Sequence, residues 1–325
     1  MTHFLLRRIG YGLLVLIGIN LVTFLLFFKV NSPDDMARIQ LGGKRITPEA
    51  IEKWKAERGY DRPLFWNDQA KGSAQLTDTL FVDHSLRMFA LDFGRSDSGR
   101  DISSDIRTRA GPSLALALPT FVVGLGISIT LALGLTFFRG TQLDLWGSMA
   151  CVVLMSISAL FFIVVGQFAL SRVLQVLPIS GFESEDGAWR FLIMPIAVSL
   201  IARLGGETRF NRTLFLEEIG KDYVRTARAK GLSDVRVLFG HVLRNALIPI
   251  ITSSVAVIPL LFMGSLIVES FFAIPGLGSY LIDAIAAQDF AIVRSMVFIG
   301  SALYILGLIL TEICYALADP RIRLI

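Results

Sequence analysis

Long apolar runs divide this chain into segments of the length that a membrane-spanning helix requires. A run of about 20 apolar residues can cross a bilayer as an α-helix. Six runs reach or approach that length, at positions 9–28, 113–138, 149–170, 191–202, 246–268 and 292–318. The fourth is the shortest: Arg203 closes its apolar stretch, and a further extension of the span is left open. The pattern predicts an all-α integral membrane protein with six transmembrane helices.

The connections between these runs differ greatly in length. Residues 29–110 form a long charged segment after the first run, and residues 207–246 form another between the fourth and fifth runs. In the first segment, Thr47 suits a helix N-cap, Pro48 the first helical position and Gly59 the helix end. We therefore divide the chain into residues 1–28 with the first span, a folded segment at 29–110, and a core domain of five spans at 111–325.

The distribution of charge predicts the orientation of the spans. Of the 325 residues 54% are hydrophobic and 18% are charged, whereas soluble chains carry about 25% charged residues. Lys and Arg favour the short cytoplasmic connections of membrane proteins, and here they collect before the first run, at 203–244 and at the C-terminus. Both termini are therefore predicted to be cytoplasmic and residues 29–110 extracytoplasmic. The first run is too long for the core of a signal peptide, so we interpret it as a retained span.

The sequence lacks the motifs of ATP hydrolysis and of metal binding. It contains no phosphate-binding G-x-x-x-x-G-K-[ST] loop and no H-E-x-x-H. Titratable residues inside spans usually mark proton or ion relays, and the middle of each run is nearly free of them. We interpret Glu269 and Glu312, near span ends, as solvated at the membrane surface. The chain is therefore predicted to be no enzyme, to bind no cofactor or metal, and to take its energy from a partner.

One charged connection is suited to contact with another protein. Small residues in a helix–glycine–helix pattern permit close approach of two backbones, and basic side chains can pair with acidic groups on a partner. The alternative is a basic face that only reflects the topology of the membrane. The candidate contact residues are Tyr223, Arg225, Thr226, Ala227, Arg228, Ala229, Lys230, Gly231 and Leu232.

The run DYVRTARAKGL at 222–232 resembles the cytoplasmic coupling motif of permease subunits in ATP-binding-cassette (ABC) importers, loosely E-A-A-x-x-x-G. Gly231 falls on the glycine of the motif and Ala227 on its second alanine, whereas Arg225 and Thr226 replace its Glu and first Ala. The form RTARAKG, followed by HVLRNALIP at 241–249, is typical of the dipeptide, oligopeptide and nickel permeases.

Other segments resemble the same family along most of the chain: RGYDRPL at 58–64, LDFGRS at 91–96, ESFFAIPGLG at 269–278 and DPRIR at 319–323. The resemblance implies that the third of these lies near the outer end of the translocation path, with Glu269, Ile274, Pro275 and Gly276 as gate or path candidates. Two segments depart from the family pattern. NSPD at 31–34 replaces the usual P-G-D-P, and residues 68–83 have no evident counterpart.

The resemblance implies a type I ABC-importer permease in a bacterial inner membrane, with a small extracytoplasmic segment between the first two spans. Such a chain forms half of a translocation path for peptides, or for a related small solute such as nickel. ATP and Mg²⁺ would bind to separate subunits. The implied partners are a second homologous permease, two ABC ATPase subunits, an extracytoplasmic substrate-binding protein and membrane lipid, with no nucleic acid.

Two other classes of protein match parts of the pattern. An ion-coupled secondary carrier would need titratable side chains at mid-membrane, which the runs nearly lack. A membrane-anchored receptor would bind its ligand through residues 29–110. Neither class gives the coupling motif a role. The sequence leaves open the substrate, the path-lining residues and the role of residues 68–83.

Overall fold

The computed structural model describes residues 2–42, 46–183 and 187–318. Within these ranges the structure is helical, and its β pairing is confined to an isolated bridge between Arg95 and Asp101. The DPRIR segment at 319–323 lies outside the described residues, so its predicted relation to the family rests on sequence. The helices are α1 (Thr2–Leu25), α2 (Pro33–Leu41), α3 (Pro48–Arg58), α4 (Ala74–Thr77), α5 (Leu80–His84), α6 (Ile102–Phe137), α7 (Gln142–Ser156), α8 (Ala159–Gln167), α9 (Ala188–Ile219), α10 (Asp222–Ala229), α11 (Asp234–Val237), α12 (Leu243–Val257), α13 (Leu266–Phe271), α14 (Leu277–Ala286) and α15 (Phe290–Ala318).

The described helices include five that are long and apolar enough to cross a membrane, or six if one bent pair forms a single span. The bent pair corresponds to the third predicted run. Its two halves, Gln142–Ser156 and Ala159–Val173, meet at an angle of 90°. The other candidate spans are Leu6–Val30, Ile102–Phe137, Ala188–Ile219, Asp234–Phe271 and Phe290–Cys314. The prediction of an all-α membrane protein with up to six spans is confirmed.

The fourth span extends past Arg203, an extension that the sequence left open. Helix α9 continues to Ile219, because a charged residue does not interrupt helical hydrogen bonding. Arg203 pairs with Glu207 one turn later, with the Nη2 and Oε1 atoms 2.8 Å apart. This i,i+4 arrangement is compatible with a continuous helix. Residues 207–219 are therefore part of α9, and the connection that follows begins at Gly220.

Helix α3 forms where its capping residues predicted it. The Thr47 side chain accepts a hydrogen bond from the Ala50 amide, and Pro48 occupies the first turn. Gly59 ends the helix with φ +69°, a left-handed conformation that glycine adopts without steric cost. The capping residues thus set both ends of the helix.

One compact unit contains residues 2–109 and Tyr280–Ile309. In this unit α1 presents a buried face of Asn20, Phe24 and Phe28, spaced four residues apart as one side of a helix requires. The amide of Asn20 donates a hydrogen bond to the Ser85 carbonyl oxygen at 3.1 Å. The core packed on this face includes Met36, Ala37, Ile51, Trp54, Tyr60 and Leu80. The segment after α1 is thus a folded layer covering the end of that helix.

A second compact unit contains residues Ala110–Ser279 and 310–318. In it α7 packs against α9, and Gly205 permits close contact because a Cβ there would lie 2.5 Å from the Cys151 carbonyl oxygen. Two buried clusters follow. One surrounds Phe215 and supports α10, and the other surrounds Phe272 and Ile274. The candidate site residues of this unit lie beside these clusters.

Candidate functional site

Helix α10 is amphipathic, with one face held in the core of its own unit. Val224 is fully buried and Ala227 is 5% exposed. Both belong to the cluster around Phe215, together with residues of the following helices: Val237, Leu238, Val242, Ala246 and Ile250. Because Val224 and Ala227 are three residues apart, they occupy the same side of the helix. The close approach predicted for Ala227 therefore occurs within the chain, and this residue is not available to a partner.

The opposite face of α10 and the turn after it are exposed. Of the predicted contact residues, Tyr223 and Leu232 are partly buried against the core. The exposed ones are Arg225, Thr226, Arg228, Ala229, Lys230 and Gly231. Arg225 and Arg228 form only exposed ion pairs, with Asp222 at 3.5 Å and Asp234 at 3.2 Å, and such pairs contribute about 0–1 kcal/mol. Both guanidinium groups are thus available to an acidic partner at little energetic cost.

Gly231 follows α10 and adopts a left-handed backbone conformation that favours glycine. Its φ is +79°, and a Cβ at this position would meet nothing within 4 Å. The Gly231 amide donates to the Arg228 carbonyl at 2.9 Å, and the Leu232 amide donates to the Ala227 carbonyl at 3.3 Å. Glycine is favoured because the left-handed conformation costs other residues about 1–2 kcal/mol. The open space around it leaves room for another protein.

A buried carboxylate joins the end of α9 to the start of α10. Glu218 is 8% exposed, and its Oε2 atom accepts a hydrogen bond from the Tyr223 hydroxyl at 2.5 Å. The Lys221 ammonium also donates to Glu218. Burial, followed by the hydrogen bond to Glu218, raises the pKa of Tyr223, so the phenol stays protonated and can donate. These contacts fix the angle at which α10 leaves α9.

The ESFFAIPGLG segment folds around a second buried carboxylate. Glu269 is 0% exposed. Its Oε1 atom accepts from the Ser113 hydroxyl at 2.8 Å and from the Ser265 amide at 3.0 Å, and its Oε2 atom accepts from the Ser279 amide at 3.0 Å. Ser113 in turn accepts from the Leu277 amide at 2.7 Å. The interpretation of Glu269 as solvated at the membrane surface is wrong, because protein groups supply its hydrogen bonds.

Three glycines permit this arrangement. A Cβ on Gly264 would lie 2.0 Å from Glu269 Oε1, and one on Gly276 would lie 2.3 Å from Glu269 Oε2. A Cβ on Gly278 would lie 2.7 Å from the Ser265 carbonyl carbon. The glycines of this motif are therefore needed for close approach to the carboxylate.

The predicted gate or path candidates differ in accessibility. Glu269, Ile274 and Gly276 are buried, and Ile274 packs in the cluster around Phe272. Pro275 alone of the four is exposed. The three buried residues hold the turn together, so their side chains do not line an open surface in this structure. Only Pro275 is placed to contact a solute or a partner.

The first unit contains a charged cluster that the sequence analysis missed. Arg294 is 4% exposed and lies over the Phe28 ring, 4.7 Å from its centroid. Two buried carboxylates lie near it: Asp289 Oδ2 accepts from the Asp97 amide, and Asp97 Oδ2 accepts from the Phe290 amide, both at 3.1 Å. Burial, and then the nearby Asp289 carboxylate, raise the pKa of Asp97. An arginine in the second turn of an apolar helix, five residues after an aspartate, was the available sequence indication.

The LDFGRS segment positions this cluster. The Asp92 side chain accepts from the Gly94 amide at 3.1 Å, and Gly94 has φ +67°. Ser96 then accepts from the Arg100 amide at 3.0 Å. The resulting turn brings Asp97 to the start of α15, where its carboxylate accepts the Phe290 amide. The turn that this segment forms thus places the Asp97 carboxylate.

A cavity of about 430 Å³ lies beside the cluster and includes Arg294, Asp97, Tyr60 and His84 in its lining. Burial, and then the positive charge of Arg294, lower the pKa of His84 to about 3. His84 is therefore neutral at physiological pH. Within the described residues, no group of three or more His, Cys, Asp or Glu side chains could hold a metal ion.

Two sequence families match this chain. The first, described as "Binding-protein-dependent transport system inner membrane component", matches residues 123–324. The second covers the N-terminal part of the same membrane components and matches residues 1–82. The chain belongs to this family. It is the permease subunit of an ABC importer, a multi-pass inner-membrane protein and a transport subunit rather than an enzyme.

Relatives of the permease align along its whole length. A protein of Brucella abortus (strain 2308), provisionally named a peptide transport system permease, is 32% identical, with 99% of each chain covered. The di/tripeptide transport system permease DppB of Pseudomonas aeruginosa (strain UCBPP-PA14) is 30% identical, and the dipeptide transport system permease DppB of Escherichia coli (strain K12) is 29% identical, again with 99% of each chain covered.

The family matches extend over part of the sites described above. Residues 123–324 include α10, the Glu269 turn and Arg294. Residues 68–82 fall inside the range of the N-terminal match, and the role of residues 68–83 stays open.

Proposed function

We propose that this permease forms half of a translocation path for peptides and is driven by separate ABC ATPase subunits through the exposed face of α10. The observation that carries the coupling proposal is the division of α10 into two faces. Val224 and Ala227 anchor it in the core, while Arg225, Ala229 and Lys230 are exposed. A helix fixed on one side can pass a force from its free side into the spans on either side of it.

The direct connections of α10 to the spans support this lever role. Glu218 at the end of α9 holds Tyr223 and Lys221, and Val237 and Val242 before α12 pack on the same core. Movement of α10 would therefore displace α9 and α12 together. The exposed basic side chains favour an acidic groove on the ATPase.

The proposed substrate class is peptides. The relatives named above are called peptide, di/tripeptide and dipeptide permeases, and each aligns over 99% of both chains. A related small solute such as nickel is the alternative. The proposal includes a second homologous permease, two ATPase subunits that bind ATP and Mg²⁺, and an extracytoplasmic binding protein. Both termini would be cytoplasmic, as the clustering of Lys and Arg predicts.

Ala229→Asp tests the coupling proposal. Ala229 is exposed, so the substitution adds charge and bulk to the docking face without entering the core. Ala286→Asp is a matched control, because Ala286 is also an exposed helical alanine. Each variant is co-expressed with the neighbouring transporter genes and purified through a tag on the permease. ATPase activity is then measured in nanodiscs.

We expect Ala229→Asp to lose the ATPase subunits during purification and Ala286→Asp to retain them. If both variants retain the subunits and hydrolyse ATP at the wild-type rate, α10 is not the docking helix. Substrate class is tested separately, by uptake of a labelled dipeptide into proteoliposomes that hold the complete complex and its binding protein. Competition by unlabelled tripeptide but not by Ni²⁺ is the expected result.

A further inference from the structure

Three large apolar side chains are exposed in one loop of the charged segment that follows α1. Phe65 is 42% exposed, Trp66 is 50% exposed and Leu76 is 57% exposed. They occur where the chain forms a loop between Pro63 and Phe81. Exposed apolar side chains that lie together on a surface usually mark an interaction site.

Main-chain hydrogen bonds bring these residues to the base of the loop. The Leu80 amide donates to the Pro63 carbonyl at 3.0 Å, and the Phe81 amide donates to the Leu64 carbonyl at 3.1 Å. One step further out, the Asn67 amide donates to the Gln75 carbonyl at 2.9 Å. Trp66 and Leu76 flank this last pair and so lie on adjacent strands of chain. We call Phe65, Trp66 and Leu76 the loop base.

The remainder of the loop is polar. Asn67 Nδ2 donates to Asp78 Oδ2 at 3.0 Å, and the Gln69 amide donates to Asn67 Oδ1 at 3.0 Å. Asp68, Gln69 and Lys71 are exposed beyond these contacts. The loop thus has an apolar base and a hydrated tip, the division expected of a segment at the boundary between lipid and water.

Contact with α1 fixes the level of the loop base. The Phe65 ring lies 5.3 Å from the Phe24 ring, and the Phe81 ring lies 5.2 Å from it. Phe24 precedes the end of the candidate span at Val30 by six residues, or about 9 Å along the helix axis. Phe65 therefore lies level with the last two turns of a membrane-spanning helix.

The neighbouring surface of the first span at the same level is apolar and exposed. Phe24 is fully buried, whereas Val22 and Leu26 on either side of it are 57% and 54% exposed. Because Phe65 covers the buried face at this level, the adjoining exposed base continues the apolar surface of α1. Contact with water would leave both aromatic rings and Leu76 hydrated beside this apolar surface, which is unfavourable.

We propose that the loop base inserts into the headgroup–acyl boundary of the membrane leaflet on the side of the large segment after α1. Phe65 and Leu76 would contact acyl chains, and Trp66 would place its indole N–H among the lipid carbonyls, a preference typical of tryptophan at membrane interfaces. The inserted base would hold the folded layer at a fixed height against the bilayer. The occupant is phospholipid, and a partner protein on the same surface is the alternative outcome of the test.

Quenching of Trp66 fluorescence tests this proposal in the full-length permease. The chain has four tryptophans. Trp54 is buried and stays, whereas the exposed Trp146 and Trp189 are replaced by Phe. The protein is reconstituted in nanodiscs of phosphatidylcholine that carry bromine on acyl carbons near the headgroup, and iodide is the aqueous quencher. A matched chain with Trp66→Phe supplies the background, so the difference between the two belongs to Trp66.

We expect brominated lipid to remove more of the Trp66 emission than iodide does. Stronger quenching by iodide would show that the base faces water, and the absence of quenching by either reagent would show that protein covers it. Either result overturns the proposal.

A second measurement does not depend on Trp66. A nitroxide at Leu76→Cys, in a chain with Cys151→Ala and Cys314→Ala, should relax faster with oxygen than with a water-soluble nickel chelate. The same label at Lys71→Cys on the hydrated tip should show the reverse order. Equal accessibility of the chelate at both positions would again exclude insertion.

Discussion

The close approach of Gly276 to Glu269 makes Gly276→Ala a sharp test of the folded turn. The φ of Gly276 lies outside the left-handed region, so alanine strains no backbone angle there. Its Cβ would lie 2.3 Å from Glu269 Oε2 and 2.5 Å from Ser113 Oγ, whereas real Cβ contacts are essentially never shorter than 3.0 Å. The carboxylate, the serine or the turn must therefore move.

The cost follows from the hydrogen bonds of Glu269. Its carboxylate accepts from Ser113, Ser265 and Ser279. A hydrogen bond to a charged group contributes about 1.5–3 kcal/mol. Displacement that breaks one or two of the three should cost about 2–5 kcal/mol. At about 2–4 °C per kcal/mol, typical of units of this size, the unfolding midpoint should fall by roughly 4–20 °C.

The assay is thermal unfolding of the purified permease in one detergent, with Gly126→Ala as the control. Gly126 lies within α6, and a Cβ there would meet nothing within 4 Å. Alanine at this position should be neutral or should stabilise the helix by up to about 1 kcal/mol. If Gly276→Ala unfolds within a few degrees of Gly126→Ala, the carboxylate does not occupy the turn and the reasoning fails.

Three further substitutions test other contacts. The pKa of His84 is about 3 in the folded protein, against an ordinary value of 6.5. The stability that neutral His84 contributes is therefore fully present above pH 6.5 and is lost as the pH falls from 6.5 towards 3. The loss at pH 4.5 is about 2–3 kcal/mol, and His84→Gln should flatten the fall of the melting midpoint between pH 7 and 4.5; an unchanged slope would place the effect elsewhere. Tyr223→Phe removes the hydroxyl bonded to Glu218 and should cost about 1.5–3 kcal/mol, seen as faster hydrogen exchange in α10 than in wild type, whereas unchanged exchange would mean that Val224 and Ala227 suffice. Arg294→Met removes a buried positive charge that favours the ionised Asp97 carboxylate and should lower the melting midpoint; Arg294→Lys, which keeps the charge, should lower it less in the same assay, and equal losses would point to ring stacking instead.

The spans and one helix of the large segment could be predicted because their determinants are local. Apolar length predicts a membrane helix, and Thr47, Pro48 and Gly59 mark both ends of α3 through contacts within a few residues. The extension of α9 past its apolar stretch was left open because Arg203 stands at the end of that stretch. Its partner Glu207 is one turn away on the same helix, and a charged pair at this spacing is compatible with a continuous helix.

The buried charges could not be predicted because their partners are distant in sequence. Glu269 accepts a hydrogen bond from Ser113, 156 positions earlier in the sequence. The Asp97 amide donates to the Asp289 carboxylate, 192 positions later. Sequence alone gives the cost of placing a carboxylate in an apolar run but not the groups that offset it. Glu269 was accordingly interpreted as solvated by water, and Arg294 was missed, although the motifs containing Glu269 and preceding Asp97 were recognised.

Helix α10 shows how one motif can contain two similar residues in different surroundings. Ala227 and Ala229 are both small and both lie in the RTARAKG run, so the motif treats them alike. On a helix they point in different directions: Ala227 lies with Val224 in the core, and Ala229 lies with Arg225 on the exposed side. Ala227→Asp would bury an unpaired charge and disturb folding, and loss of the ATPase from that variant would say nothing about docking. Ala229→Asp tests the contact itself, because its side chain begins outside the core.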